Sequence, residues 1–105
     1  MVRVTALYAH SDDAHFDWDY YQNKHLPMVR EVLGDKLLRM EAERGLHGIA
    51  AAFPPLYVAM ARLDFESDAV LQELMLTAVP KIVQDIPNYT SIALQLQVSE
   101  VVDLG

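Results

Sequence analysis

The stretch FDWDYYQNKHLP, residues 16–27, crowds carboxylates, aromatic rings and a histidine into one helical segment, and its reading decides what the rest of the chain must build. At roughly 100° per residue, Trp18, Tyr21, His25, Val29 and Val32 fall on one side of a helix. That stripe should face the interior, so His25 needs a partner there. Asp17 can cap the helix, with Phe16 stapled onto Tyr21, and Gly34 should stop it after Leu33. Pro27 has no N–H to offer the Asn23 carbonyl and should push Leu26 away from helical angles, bending the helix beside His25.

On the N-terminal side, residues 2–9 alternate Val2, Val4, Ala6, Tyr8 against Arg3, Thr5, Leu7, Ala9, the pattern of a strand with two partly apolar faces. On the C-terminal side, Lys36 to His47 alternates Leu38, Met40, Ala42 with Arg39, Glu41, Glu43 and predicts a second strand. Gly48 to Leu56 holds Pro54 and Pro55 and cannot be a regular helix through them. Tyr57 to Phe65 predicts a third strand. Ser67 or Asp68 should cap a helix carrying Val70, Leu71, Leu74, Met75 and Ala78. Pro80 should interrupt it, a short helical piece should follow over Lys81 to Ile86, and Ile92, Leu94, Leu96 and Val98 should share one face of a fourth strand.

The order strand, helix, strand, strand, helix, strand predicts an α+β, ferredoxin-like βαββαβ fold, a four-stranded antiparallel sheet with both helices on one face. Residues 1–105 read as a single domain, since there is room for only one core. The other sheet face then needs a cover. Apolar residues make up 52% of the chain against 22% charged, so a second copy is the economical cover and a homodimer is expected.

Eight basic and fifteen acidic residues leave a net charge of -7, which argues against nucleic acid and against anionic membrane surfaces as partners. There is no cysteine, which excludes disulfides, thiolate nucleophiles and cysteine-held metals and suits a cytoplasmic protein. The first ten residues are too short and too alternating for a signal peptide, and no apolar run reaches the roughly 20 residues a bilayer demands. The four glycines cannot write a dinucleotide or phosphate-binding loop. His10, His15 and His47 match no metal-site spacing, so neither a metal nor a cofactor is expected.

Two catalytic candidates remain, His25 as a general acid or base and Tyr21, one turn before it, as the group that orients a ligand oxygen. A buried imidazole that merely bonds a carbonyl is the competing account of His25. Trp18, Tyr8, Tyr57 and Tyr89 are candidates for substrate binding, each weighed against simple packing, while Tyr20 points outward. Asp17 and Asp19 belong to the helix start, where carboxylates meet free N–H groups.

The motif FDWDYYQNKHLP, with DIPNYT at 85–90, the LG at Leu33 and Gly34, the GL at Gly45 and Leu46, PPLYVA and the closing SEVV, resembles the EthD family over nearly the whole chain. The resemblance implies a ferredoxin-like subunit that pairs into a dimeric α/β barrel, with the family histidine at His25 and its aromatic and acidic positions at Phe16, Asp17, Asp19, Tyr20 and Tyr21. The alanine-rich connection from Gly48 to Phe53 departs from the glycine and proline usual in the family. The family takes its name from a protein needed, alongside a cytochrome P450 system, for ethyl tert-butyl ether degradation. Similar barrels include cofactorless monooxygenases, haem-degrading enzymes, lactone isomerases and polyketide cyclases.

Three functions follow as expectations. The first is an enzyme that transforms a small apolar organic molecule between sheet and helices by acid-base or oxidative chemistry without a cofactor. The second is a noncatalytic accessory that binds a hydrophobic metabolite for a degradation or oxygenase pathway. The third is haem binding through His25.

Overall fold

A computed structural model describes all 105 residues. Four strands, β1 (Val2–Ala9), β2 (Arg39–Arg44), β3 (Tyr57–Phe65) and β4 (Gln95–Glu100), form one antiparallel sheet in the order β2-β3-β1-β4. β1 and β3 are the inner pair, in register from Val2 opposite Phe65 to Tyr8 opposite Ala59, with an irregularity between Tyr8 and Ala9. Each helical connection carries the chain from an inner strand past the other inner strand to an edge, the ferredoxin-like arrangement that the element order predicts.

The first connection is one continuous helical run in three registers: α1 (Trp18–Tyr20), a π-helical turn (Tyr21–His25) and α2 (Leu26–Leu33). Asp17 caps it by accepting from the Tyr20 N–H at 3.1 Å, and the Phe16 and Tyr21 rings meet at 5.0 Å. The expectation for Leu26 is corrected. It keeps helical angles (φ −63°, ψ −40°), and its N–H reaches back five residues to the Tyr21 carbonyl. The missing N–H of Pro27 falls just after a turn widened to five residues. Gly34 ends the run at φ 59°, where a side chain would be strained.

The second connection is α3 (Asp68–Thr77), capped by Ser67, then α4 (Val79–Asp85) and a 3₁₀ turn over Ile86–Asn88. Pro80 falls in the first turn of α4, so the expected interruption is a restart in which its absent N–H costs nothing. Two strands are shorter than their alternation suggested. Gly34–Lys36 is a 3₁₀ turn, so β2 begins at Arg39, and Ile92 to Leu94 lie before β4. Alternation reports a face but not the extent of pairing, and beyond the bounds of β2 single bonds still reach β3, from the Leu38 N–H to the Asp64 carbonyl and from the Gly45 N–H to the Val58 carbonyl.

The helices cover the sheet face that presents Val4, Ala6 and Tyr8 of β1 with Ala61, Leu63 and Phe65 of β3. The opposite face is mixed, with Leu7 and Met60 paired among polar and charged side chains. Asp64 takes a two-pronged bond from Arg3, at 2.7 Å to Nε and 3.0 Å to Nη2, and Arg62 pairs with Glu43. Further apolar surface is exposed away from that face. It lies along β4, where Leu96 and Val98 are half-exposed, and in the 46–56 connection, where Leu46, Ile49, Phe53 and Leu56 face outward. No helix is long and apolar enough to cross a membrane.

Candidate functional site

The π turn and α2 lay Tyr21, His25, Val29 and Leu33 along the sheet, and all four are buried. Tyr21 and His25 stack nearly parallel, ring centroids 5.5 Å apart and planes 16° from parallel. From the far end of α4 and its 3₁₀ turn come Asp85 and Tyr89, and from the end of β1 comes Tyr8. Four residues from three separate elements thus gather around one imidazole.

His25 holds both ring nitrogens on protein groups. Nδ1 lies 2.9 Å from Asp85 Oδ2, and Nε2 lies 3.2 Å from the Tyr89 hydroxyl. The Tyr89 hydroxyl is 2.7 Å from that of Tyr8. Asp85 also accepts from the Tyr20 hydroxyl at 2.7 Å and from Asn88 Nδ2 at 2.9 Å. No buried side-chain nitrogen or oxygen is left without a partner.

The electrostatics settle which groups carry charge. Burial pushes the His25 imidazolium equilibrium down from its ordinary value, against the opposing pull of Asp85. Burial alone would push Asp85 up, but the hydrogen bonds from Asn88, His25 and Tyr20 outweigh it and hold the carboxyl below the usual carboxylate range. Near neutral pH the pair is therefore a carboxylate beside a neutral imidazole. Its Nδ1–H donates to Asp85, which leaves Nε2 as an acceptor for the Tyr89 O–H. Burial pushes all three inner phenols up. Tyr8 is pushed up against an opposing pull, because the Tyr89 and Tyr21 hydroxyls can turn to donate to its anion.

Beside this cluster lies a cavity of about 90 Å³ between sheet and helices. Apart from His25, everything that lines it is aliphatic or aromatic, including Tyr8, Tyr21, Ala61, Leu71 and Ile86. Its half-exposed rim is Met75 and Val83 on the helices and Leu96 on β4. Asp85 and Tyr89 stand behind the wall rather than in it.

Of the residues singled out in the sequence, Tyr8, Tyr21, His25 and Tyr89 come together. Trp18 and Tyr57 do not join them. Trp18 packs on Phe16 and Tyr21, carries the Arg44 guanidinium over its ring at 5.4 Å, and borders a separate polar groove with His10 and Asp12. Tyr57 pairs with Ala9 at the strand end, away from the cavity. Tyr20 is corrected too, since it stacks on Tyr89 and bonds Asp85 instead of pointing outward. Asp85 is the residue that the sequence reading passed over. Its signal is the spacing Asp85–Tyr89, which puts a carboxylate and a phenol one turn apart at the end of a helix. Haem does not fit, because both His25 nitrogens are committed and the cavity is far smaller than a porphyrin.

No protein-family model matches the chain. The crystal structure of an EthD-like protein from Ralstonia eutropha superposes with a TM-score of 0.91 at 38% identity, over 99% of this chain and 94% of that one. An ethyl tert-butyl ether degradation family protein from Bacillus halodurans follows at a TM-score of 0.77 and 21% identity, over 97% of this chain and 99% of that one, a likeness of fold. In sequence, an uncharacterised 11.0 kDa protein from the thcB-thcC intergenic region of Rhodococcus erythropolis is 39% identical over 70 residues, 66% of this chain. That match spans 63% of the relative's own length.

Proposed function

The chain belongs to the EthD family, and on that footing we propose that it binds a small, largely apolar organic molecule between sheet and helices and moves a proton on it with the His25–Asp85 pair. The observation that carries this reading is the single imidazole in an otherwise apolar wall, held by a carboxylate on one nitrogen and a phenol on the other. A structural histidine would also satisfy both nitrogens, but this one in addition presents its ring to the cavity. Here the second-nitrogen contact keeps an acceptor poised, and the carboxylate steadies the imidazolium once formed. Tyr21 and Tyr8 supply hydroxyls at the same wall for a ligand oxygen, and the aliphatic rim excludes water from it.

Homodimer formation is part of the proposal, supported by the exposed Ile49, Phe53, Leu56 and Leu96. Light scattering at micromolar concentration is expected to give twice the chain mass.

The test begins with a thermal-shift screen of monocyclic phenols, enolisable ketones and short alkyl ethers. A ligand at 100 times its Kd should stabilise the fold by about 2.7 kcal/mol. On any compound that is turned over, His25→Gln should lower kcat roughly 10²- to 10⁴-fold. Binding without turnover, unchanged by His25→Gln, would replace the enzyme by an accessory that only carries its ligand.

A further inference from the structure

His25 lines the cavity, but neither of its nitrogens is offered to it. Nδ1 is turned to Asp85 and Nε2 to Tyr89, and neither partner borders the cavity space. A ligand lying against the imidazole therefore meets ring carbon. Tyr8 and Tyr21 are the other residues of the cavity wall with a side-chain oxygen, and Tyr8 is joined to the histidine through Tyr89.

Accepting the cavity as the ligand site, as proposed above, we infer that the protein takes O–H acids with an apolar body, phenols or enols, and that Tyr8 and Tyr89 relay the ligand's proton to His25. The hydrogen-bond directions are set from one end. Asp85 is a carboxylate, so His25 Nδ1 carries the proton and Nε2 must accept. Tyr89 then donates to Nε2, and its oxygen accepts from the Tyr8 O–H at 2.7 Å. The Tyr8 oxygen is then left to accept, from the Tyr21 hydroxyl in the free protein and from a ligand O–H that takes its place. A ligand O–H fits that position; a carbonyl, which has no proton to give, does not.

The step balances without an oxidant. The ligand O–H bond breaks as its proton joins the Tyr8 oxygen, the Tyr8 proton passes to Tyr89, and the Tyr89 proton forms an N–H bond at His25 Nε2. Both phenols end neutral with their O–H groups reversed toward the ligand, which is now an oxyanion accepting from Tyr8. The imidazolium lies against Asp85, whose carboxylate is already held by Tyr20 and Asn88 and needs no rearrangement. Tyr89 is completely buried, so water does not compete at the middle of the relay.

The probe is 4-nitrophenol, whose neutral and ionised forms absorb at different wavelengths. At pH about 5.5 the free compound is neutral, and the complex is expected to show the phenolate band, a shift of at least about one pH unit or tenfold in ionisation. Tyr8→Phe should bind with little loss yet show only the neutral band, and Tyr89→Phe, which cuts the relay one oxygen further in, should do the same. Tyr57→Phe, remote from the cavity, should keep the phenolate band. Should Tyr8→Phe fail to fold, Tyr89→Phe carries the test. Binding with the neutral band in the wild type overturns the relay while the cavity reading stands. A phenolate band that survives in both phenylalanine variants also overturns it, and an absence of binding overturns both readings.

Discussion

The sheet's covered face carries two cores, each with six buried residues at its centre, and they differ in kind. One is Val29, Leu33, Phe65, Leu71, Leu74 and Ala78, which offers no side-chain hydrogen bond. The other centres on Tyr8, Tyr21 and Tyr89 over the small Ala6, Ala59 and Ala61, and is threaded by hydrogen bonds that run through His25 to Asp85. A single helix serves both, with Tyr21 and His25 on one and Val29 and Leu33 on the other. The alanines of β1 and β3 explain why both cores fit under one rod, since a large ring needs a small residue beneath it. The difference teaches a division of labour. The aliphatic core supplies stability by burial, while the aromatic core holds its polar groups in a connected hydrogen-bond network.

Four changes would break or sharpen that contrast. The largest effect should come from the aliphatic side, where Leu71→Ala is expected to cost about 2–5 kcal/mol in urea unfolding. It should leave the His25 titration where it was, and a shifted titration would mean that the two cores are not separate. Next, Asp85→Ala strips three donors of their acceptor and should cost about 1–3 kcal/mol. It also removes the one contact that raises His25, so the imidazole should titrate lower still, read from its ring-proton NMR shifts.

Third is the pH dependence. His25 is held below its ordinary 6.5 in the folded chain, so the unfolded chain binds that proton first as pH falls. Stability is then lost as pH drops from about 6.5 down through the lowered folded value. Asp85 and Asp64 act in a separate, lower window, because their depressed carboxyls stabilise the fold above about 3.8 and lose that as pH falls through their folded values. Thermal melts should therefore decline in two stages, and His25→Gln should erase the upper one only. Last, Tyr57→Phe, outside both cores, should change stability by less than about 0.5 kcal/mol.

Much of this was legible beforehand. The staple of Phe16 on Tyr21, the caps at Asp17 and Ser67, the stop at Gly34 and the restart at Pro80 are local matters, decided within a few residues, and each appears as read. Tyr21 and His25 were legible for the same reason, since helical spacing alone puts them on the buried stripe. The π turn was not, because Pro27 removes a hydrogen bond without saying how the backbone absorbs the loss. Nor was the role of Asp85, which lies 60 residues from the histidine it binds. Tyr20 was misread because its own helix points it away from the stripe, and only the arrival of α4 gives it a partner.

The amino-acid sequence by itself determined the order and kind of the elements, the ferredoxin-like class and the histidine that must be buried, because periodicity, capping and proline chemistry act over neighbouring residues. Only the tertiary structure decided which phenols meet that histidine, that both of its nitrogens turn from the cavity, and that Asp64 on the bare sheet face takes Arg3. Those outcomes depend on strand register and on the packing of α4 against the first helical run, which bring together side chains that no local rule relates.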